Sequence, residues 1–161
     1  MGHNITAVIG TPAVVARVVD AAGCPAPTDL KFGLQIAPLG HQQIDQLTQL
    51  QPGERFDGFV YLSAGLQNAL IDAIDQGTLV YLETDYFGGT GSQAAAVLSD
   101  GSVVMQASMP VSREQARRED PINSALRALG IEAATGEDEF DTIGLRRFRD
   151  LESLGVEWDD D

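Results

Sequence analysis

Three β-prone runs joined by two turns constrain the fold of this chain more than any other feature. The runs are residues 78–84, 94–98 and 103–106, which are rich in β-branched and other apolar residues. Asp100-Gly101, between the last two runs, is a strong signal for a two-residue hairpin turn. We therefore predict a three-stranded antiparallel meander over residues 78–106, whose first connection is a glycine-rich loop.

The glycine-rich loop, residues 85–93, is the predicted contact site. Its glycines permit positive φ angles and the close approach of another chain or ligand, and it carries two aromatic rings of the kind enriched at interface hot spots. We predict that a partner contacts the following loop residues: Asp85, Tyr86, Phe87, Gly88, Gly89, Gly91 and Gln93.

Two other interpretations of this loop stay open. It could be a wide hairpin loop with a bulge and no further role. It could also be a phosphate cradle, because residues 93–97 resemble a helix start and glycines before a helix bind phosphate in nucleotide-binding proteins. The lack of Lys or Arg near the loop and the negative charge of Asp85 argue against the phosphate cradle.

The remaining chain alternates between strand and helix patterns. This predicts an α+β (mixed α/β) fold in a single domain over residues 1–155, with the meander at its centre and helices covering one face. Further strands are expected at residues 5–9, 30–36 and 56–62. Helices are expected at residues 12–22 and 41–50, after Ser63, after Asp120-Pro121, and from Asp141 through Leu145, Phe148 and Leu151. Residues 156–161 are expected to form an acidic C-terminal tail.

Charge narrows the choice of partners. The 24 acidic and 10 basic residues give a formal net charge of −14, which repels nucleic acid and suits a basic protein partner, a divalent cation or plain solubility. Cys24 is the only cysteine, so no internal disulfide can form, which fits a reducing compartment. Without a secretory signal or a long apolar run, we expect a cytoplasmic protein that binds neither nucleic acid nor membrane.

Three groups of side chains could carry chemistry, but none predicts a catalytic centre. Glu83 and Asp85 share one face of a strand and could bind a divalent cation or act as acid and base. His3, His41 and Cys24 have spacings that match no known zinc signature. We expect His3 at the surface, His41 at a helix start and Cys24 as a buried, inert thiol. No catalytic residue, metal site or cofactor is predicted.

The loop also supports a resemblance. Residues 81–93, which contain Glu-Thr-Asp-Tyr-Phe-Gly-Gly-x-Gly-x-Gln, and the opening Met1-Gly2-His3-Asn4-Ile5 resemble small uncharacterised bacterial proteins. Some of those are similar to immunity proteins encoded beside toxins. The resemblance implies a binding role without catalysis and transfers no functional residue to this chain.

Three functions are compatible with these patterns. The favoured hypothesis is a non-enzymatic acidic binding protein, an immunity-like inhibitor of a partner protein. The alternative is a small-molecule-binding domain or enzyme that uses loop 85–93, with Glu83, Asp85 or His41 as its polar groups. The third is an assembly subunit that pairs through an edge strand, for example as a homodimer.

Overall fold

Six strands form one antiparallel sheet in the order β2-β3-β1-β4-β5-β6. The computed structural model describes residues 3–87, 90–111, 120–136, 138–145, 148 and 152–155. The strands are β1 (His3–Gly10), β2 (Thr28–Asp29), β3 (Gln35–Pro38), β4 (Thr78–Phe87), β5 (Thr90–Ser99) and β6 (Ser102–Val111). The α-helices are α1 (Pro12–Ala22), α2 (His41–Thr48), α3 (Ala64–Ile74), α4 (Pro121–Ala128) and α5 (Glu139–Thr142).

Strands β4, β5 and β6 form the meander that the sequence predicts, with strands longer than expected. β4 pairs with β5 from Thr78 opposite Ser99 out to the far end of both strands, and β5 pairs with β6 along its length. Asp100 and Gly101 have φ angles of 50° and 83°, which the two central residues of a type I′ hairpin turn require. The predicted Asp-Gly turn is therefore confirmed.

The two faces of the sheet supply two separate hydrophobic cores. Leu79 and Tyr81 of β4 pack with α1, α2 and α3 on one face, whereas Val80 and Leu82 pack with α4 and the C-terminal segment on the other. The predicted α+β class is confirmed, but helices cover a second face as well as the one predicted. The reason lies in residues 79–82, a continuous apolar run of the kind found in strands that are buried on both sides.

The helix boundaries follow their local signals. α1 starts at Pro12 and is followed by Gly23, whose φ of 70° allows the left-handed termination. Ser63 caps α3, because its side-chain oxygen accepts a hydrogen bond from the backbone N–H of Leu66 at 3.2 Å. The start of α4 at Pro121 is also as predicted.

Two of the predicted strands are wrong. In residues 30–36 a 3-10 turn at Lys31–Gly33 interrupts the pattern, and Phe32, with φ of 64°, is exposed. Only Gln35–Pro38 pairs, as β3. Residues 56–62 form a loop, and the one bridge beside it joins Arg55 to Ser63. Apolar alternation could not show that the backbone amides of this loop bind a side chain of β4 instead of another strand.

The predicted long last helix is also wrong within the described residues. α5 ends at Thr142, and Gly144 follows with φ of 86°, which breaks the helical path. Leu145 nevertheless packs in the second core, and Phe148 packs against that core, as their apolar character requires. Leu151 and the predicted acidic tail, residues 156–161, lie outside the described residues.

Candidate functional site

The predicted contact loop is mostly strand. Asp85 to Phe87 belongs to β4, and Thr90 to Gln93 belongs to β5. Phe87 pairs with Thr90, so the connection shrinks to residues 88–89, which lie outside the described residues. The prediction of a wide loop over residues 85–93 is therefore wrong, because backbone pairing includes Gly91 and continues to Phe87 and Thr90.

The same pairing also overturns the phosphate cradle. That interpretation needs a helix after the glycines, and residues 90–99 form a strand instead. Gly91 sits in this strand with φ of 140°, a conformation that favours glycine. Gly91 thus lies within the paired ribbon and not at the start of a helix.

The predicted contact residues lie in different surroundings. Asp85 and Gly91 are exposed. Gln93 is half-buried, and its side-chain carbonyl accepts a hydrogen bond from the backbone N–H of Ile122 at 3.1 Å. This bond satisfies an N–H of the first turn of α4, so Gln93 has a structural role that the sequence did not suggest. The side chains of Tyr86 and Phe87 lie outside the described part, as do Gly88 and Gly89, so their contact role stays a prediction.

Glu83 is buried, at 6 % exposure, and holds the loop that precedes α3. Its carboxylate accepts backbone hydrogen bonds from Val60, Tyr61 and Leu62 at 2.6, 3.0 and 2.9 Å. Tyr81 donates a fourth bond from its hydroxyl at 2.5 Å. Charge-assisted bonds of this kind are stronger than neutral ones. All four donors belong to the chain itself, so this carboxylate has a structural role.

The ionisation of Tyr81 depends on its burial and on its contact with Glu83. Burial raises the pKa of Tyr81 well above its usual value, and the charge and hydrogen bond of Glu83, together with Tyr61, raise it further. The phenol is therefore neutral through the physiological range and donates to Glu83. The ring also lies against Phe59, with the centroids 6.3 Å apart.

The loop over Glu83 is also tied down at its tip. Gly58 has φ of 83°, and a Cβ added there would lie 1.8 Å from the side-chain oxygen of Ser108 on β6. Arg55 donates a hydrogen bond from its guanidinium to the carbonyl of Val60 at 2.9 Å. These contacts lay the loop across the sheet, and glycine is required where it approaches β6.

A shallow pocket lies between this loop and the outer part of the sheet. It has a volume of about 60 Å³, and its lining includes Asn4, Thr6, Asp85 and Ser92 beside the loop. Small-molecule sites in proteins typically measure about 300–1,000 Å³. The pocket is thus large enough for a small polar group or a side-chain tip, and too small for a drug-sized ligand.

Strand pairing explains why these polar side chains meet. Asn4 lies opposite Asp85, and Asp85 lies opposite Ser92, while Thr6 lies opposite Glu83. Directly opposed residues of neighbouring strands project from the same face. Glu83 and Asp85 share a face, as predicted, but one is buried under the loop and the other is exposed.

The expectation that His3 lies at the surface is wrong. His3 is 4 % exposed, with Nδ1 2.7 Å from the hydroxyl of Thr84 and Nε2 3.3 Å from the carbonyl of Leu145. A carbonyl can only accept, so Nε2 carries a proton in this geometry. The hydroxyl of Thr84 accepts from the backbone N–H of Ile5 at 2.9 Å and can donate to Nδ1. His3 therefore links β1 to the C-terminal segment.

The other predicted residues do not join His3. His41 begins α2, as expected, and lies beside Tyr61, with 3.4 Å between Nε2 and the tyrosine hydroxyl. Cys24 is half-buried and donates to the carbonyl of Pro38 at 3.3 Å. Burial raises the pKa of its thiol to about 11, so it is a poor nucleophile at neutral pH. Among the described residues, no group of three or more metal-ligating side chains is brought together.

Sequence reasoning missed the loop amides and Thr6. A signal was present for the loop, because an acid directly follows the apolar run 79–82, and a buried acid must find donors. Nothing in the sequence pointed to residues 60–62 as those donors, since they lie more than twenty positions away.

Comparisons of the chain with protein-family models, with curated proteins and with solved structures found no match. Within the described ranges, no helix has the length and apolar character needed to cross a lipid bilayer.

Proposed function

We propose that this chain is a non-enzymatic acidic binding protein, an immunity-like inhibitor that grips a basic partner protein in the bacterial cytoplasm. The contact surface is residues 85–93, which comprise the outer ends of β4 and β5 and the two residues that connect them. The observation that carries the proposal is the position of Asp85, which is exposed beside a polar pocket, whereas Glu83 on the same strand face is fully engaged.

Three further features support this surface. The body carries a net charge of −14, which accelerates encounters with a basic partner. The β4–β5 ribbon is paired out to Phe87 and Thr90, so the predicted contact residues stand on an ordered scaffold. Pre-organised contacts of this kind bind with less loss of conformational entropy.

The pocket volume favours a protein contact over the small-molecule alternative. At about 60 Å³ it can take the end of one side chain. Binding of a drug-sized molecule normally buries most of that molecule in a larger cavity.

Quantitative affinity capture tests the proposal. Wild-type protein is used as bait in lysate of the native host at low and high salt, beside the variants Asp85→Asn and Tyr86→Ala/Phe87→Ala. We expect the wild-type bait to capture one basic protein in stoichiometric amount, and neither variant to capture it. High salt should weaken the capture, because screening removes the long-range attraction. Matched controls are Asp72→Asn, an exposed acid of α3, and Phe32→Ala, an exposed ring distant in sequence.

Capture that is unchanged in both test variants would refute the contact surface. Recovery of no stoichiometric partner would refute the binding function. Urea unfolding of each variant must accompany the capture, because a loss of folding would also abolish binding. If the partner is a toxin, its co-expression with wild-type protein should restore growth, and co-expression with the Tyr86→Ala/Phe87→Ala variant should not.

A second candidate function is self-assembly through β6. This ten-residue strand contains no charged residue and lies at the edge of the sheet, and Val104 is 63 % exposed. Long apolar edge strands pair readily with other chains, and a neutral strand lets two strongly acidic bodies meet. Light scattering at high concentration should then give a dimer that Val104→Lys dissociates and Leu50→Lys, at another exposed apolar site, does not.

A further inference from the structure

One buried hydroxyl in the pocket, that of Thr6, forms no hydrogen bond with the described residues. Thr6 is 4 % exposed and lines the pocket, yet its side chain makes no hydrogen bond to any residue of the described ranges. Its backbone carbonyl is occupied, since it accepts from the N–H of Leu39 at 2.7 Å. Buried polar groups without a partner are rare and costly in folded proteins. A buried, unused hydroxyl that opens into a pocket indicates a ligand or ordered water there.

The groups around this hydroxyl can all accept hydrogen bonds, and those of Asn4 and Ser92 can also donate. Asp85 contributes a carboxylate, and Asn4 and Ser92 contribute side-chain oxygens from the neighbouring strands. Like Thr6, these three side chains form no hydrogen bond or ion pair within the part of the chain that the structure describes. The pocket thus presents four polar side chains, one of them negatively charged, around a small space.

The surrounding charges favour a cation in this space. Glu83 also lines the pocket as a second carboxyl group, with its oxygens bound by backbone amides. The nearest described positive group in the loop, the guanidinium of Arg55, is turned to the carbonyl of Val60. An anion would meet two carboxylates here, whereas a cation with N–H donors would satisfy both the charge and the acceptors.

The size of the pocket limits the cation to a small group, such as the tip of a side chain. About 60 Å³ holds a few water molecules or a head group of similar volume. Ala94, opposite Glu83, contributes only a methyl group to the floor. A small side chain thus borders the space on this strand.

We propose that this pocket binds the positively charged tip of a basic side chain of the partner, an arginine or a lysine. Asp85 pairs with the charge at the mouth, and the Thr6 hydroxyl accepts a hydrogen bond at the base. This inference rests on the proposed function, because it names the group of the basic partner that the contact surface recognises. The pocket gives that surface specificity for a basic residue at one position.

Amide NMR titration of the whole protein at low salt tests the site without the partner. The probes are N-acetyl-arginine amide and N-acetyl-lysine amide, with N-acetyl-glutamine amide as the neutral control. We expect saturable shifts confined to Thr6, Asp85 and the loop at Gly58 with at least one cationic probe and none with the neutral probe. The probe that binds more tightly identifies the preferred side chain.

Three variants separate the site from general attraction to an acidic surface. Asp85→Asn should weaken binding about tenfold, and Thr6→Val, which replaces the hydroxyl by a methyl, should weaken it about threefold. Asp72→Asn removes the same charge from α3 and should leave the affinity unchanged. Equal weakening by Asp85→Asn and Asp72→Asn, or shifts spread over the whole surface, would overturn the proposal, as would no saturable shift with either cation.

The outcomes for the site and for the proposed function can be told apart. If a cationic probe binds saturably but no protein is captured, the pocket is supported as a cation site and the proposed partner protein is refuted. If capture depends on Tyr86 and Phe87 but is unchanged in Thr6→Val and Asp85→Asn, the contact surface is supported. The pocket is then not part of that surface.

Discussion

Glu83 and Asp85 are the same kind of side chain, two positions apart on one face of one strand, and they behave in opposite ways. Glu83 lies under the loop before α3 and accepts four hydrogen bonds. Asp85 lies beyond that cover and is exposed. A carboxylate has a structural role where hydrogen-bond donors from another segment reach it. Where none reach it, the carboxylate is available for binding.

The largest effect on stability is expected from replacing Glu83, the carboxylate that the loop covers. Glu83→Ala removes the acceptor of three backbone amides and the Tyr81 hydroxyl, so we expect the free energy of unfolding to fall by about 3 kcal/mol. Urea denaturation monitored by circular dichroism measures it. Glu83→Gln keeps one acceptor oxygen and should lose less. A loss below about 0.5 kcal/mol for Glu83→Ala would mean that water replaces the carboxylate at little cost.

Next in size is the contact that holds the loop over Glu83. Gly58→Ala should destabilise the fold by about 2 kcal/mol, because the added Cβ collides with Ser108 and φ is positive there. Combining it with Ser108→Gly removes the collision but keeps the backbone strain. We expect the double variant to recover part of the loss, and strict additivity of the two substitutions would contradict the contact.

The phenol of Tyr81 gives a pH-dependent effect on the covered side. Tyr81→Phe removes a hydrogen bond to a carboxylate and should cost about 1.5 kcal/mol at neutral pH. The raised pKa of Tyr81 favours the neutral phenol in the folded state. Its stabilising contribution is therefore complete below the ordinary pKa of 10.0 and is lost as the pH rises above it.

Absorbance at the phenolate band during alkaline titration measures this effect. In wild-type protein, the ionisation of Tyr81 should coincide with unfolding, and Tyr81→Phe should lack that step. Ionisation of Tyr81 near pH 10 in the folded protein would contradict the burial and the bond to Glu83.

A smaller effect is expected at Gln93, on the opposite face of the same ribbon. Gln93→Ala removes the side-chain acceptor of the Ile122 N–H in the first turn of α4 and should lower stability by about 1 kcal/mol. Gln106 is a matched control, because it is exposed on β6 and its side chain bonds only to Gln67 among the described residues. If Gln93→Ala and Gln106→Ala behave alike, Gln93 does not support α4.

The smallest effect on stability is expected from replacing Asp85, the exposed carboxylate. Asp85→Asn should change the free energy of unfolding by less than about 0.5 kcal/mol, as is usual for exposed residues. The same measurement as for Glu83 applies, with Asp72→Asn as the control. A loss comparable to that of Glu83→Ala would show that Asp85 is structural after all, and it would remove this residue from the contact surface.

Local patterns predicted much of the fold. The Asp100-Gly101 turn, the Pro12 and Pro121 helix starts and the Ser63 cap all depend on contacts within a few residues. They were predictable because such turns and caps are satisfied by their own neighbours.

Predictions failed where a distant segment competes for the same groups. Residues 56–62 have a strand pattern, but their amides bind Glu83. His3 looks like a terminal surface residue, but it is buried and lies within hydrogen-bond distance of the carbonyl of Leu145, more than a hundred positions away. In the candidate site, the shared face of Glu83 and Asp85 was predictable, whereas the loop that covers one of them and Thr6 in the pocket was not.

The sequence by itself determined the meander, its tight second turn and the apolar strands at its centre, because strand and turn preferences act over short distances along the chain. Only the tertiary structure decided which carboxylate is bound by the chain's own donors, which face each helix covers and where a buried hydroxyl finds no partner among the described residues. Those outcomes depend on which remote backbone groups arrive at each side chain, and that arrangement exists only once the strands have paired and both cores have packed.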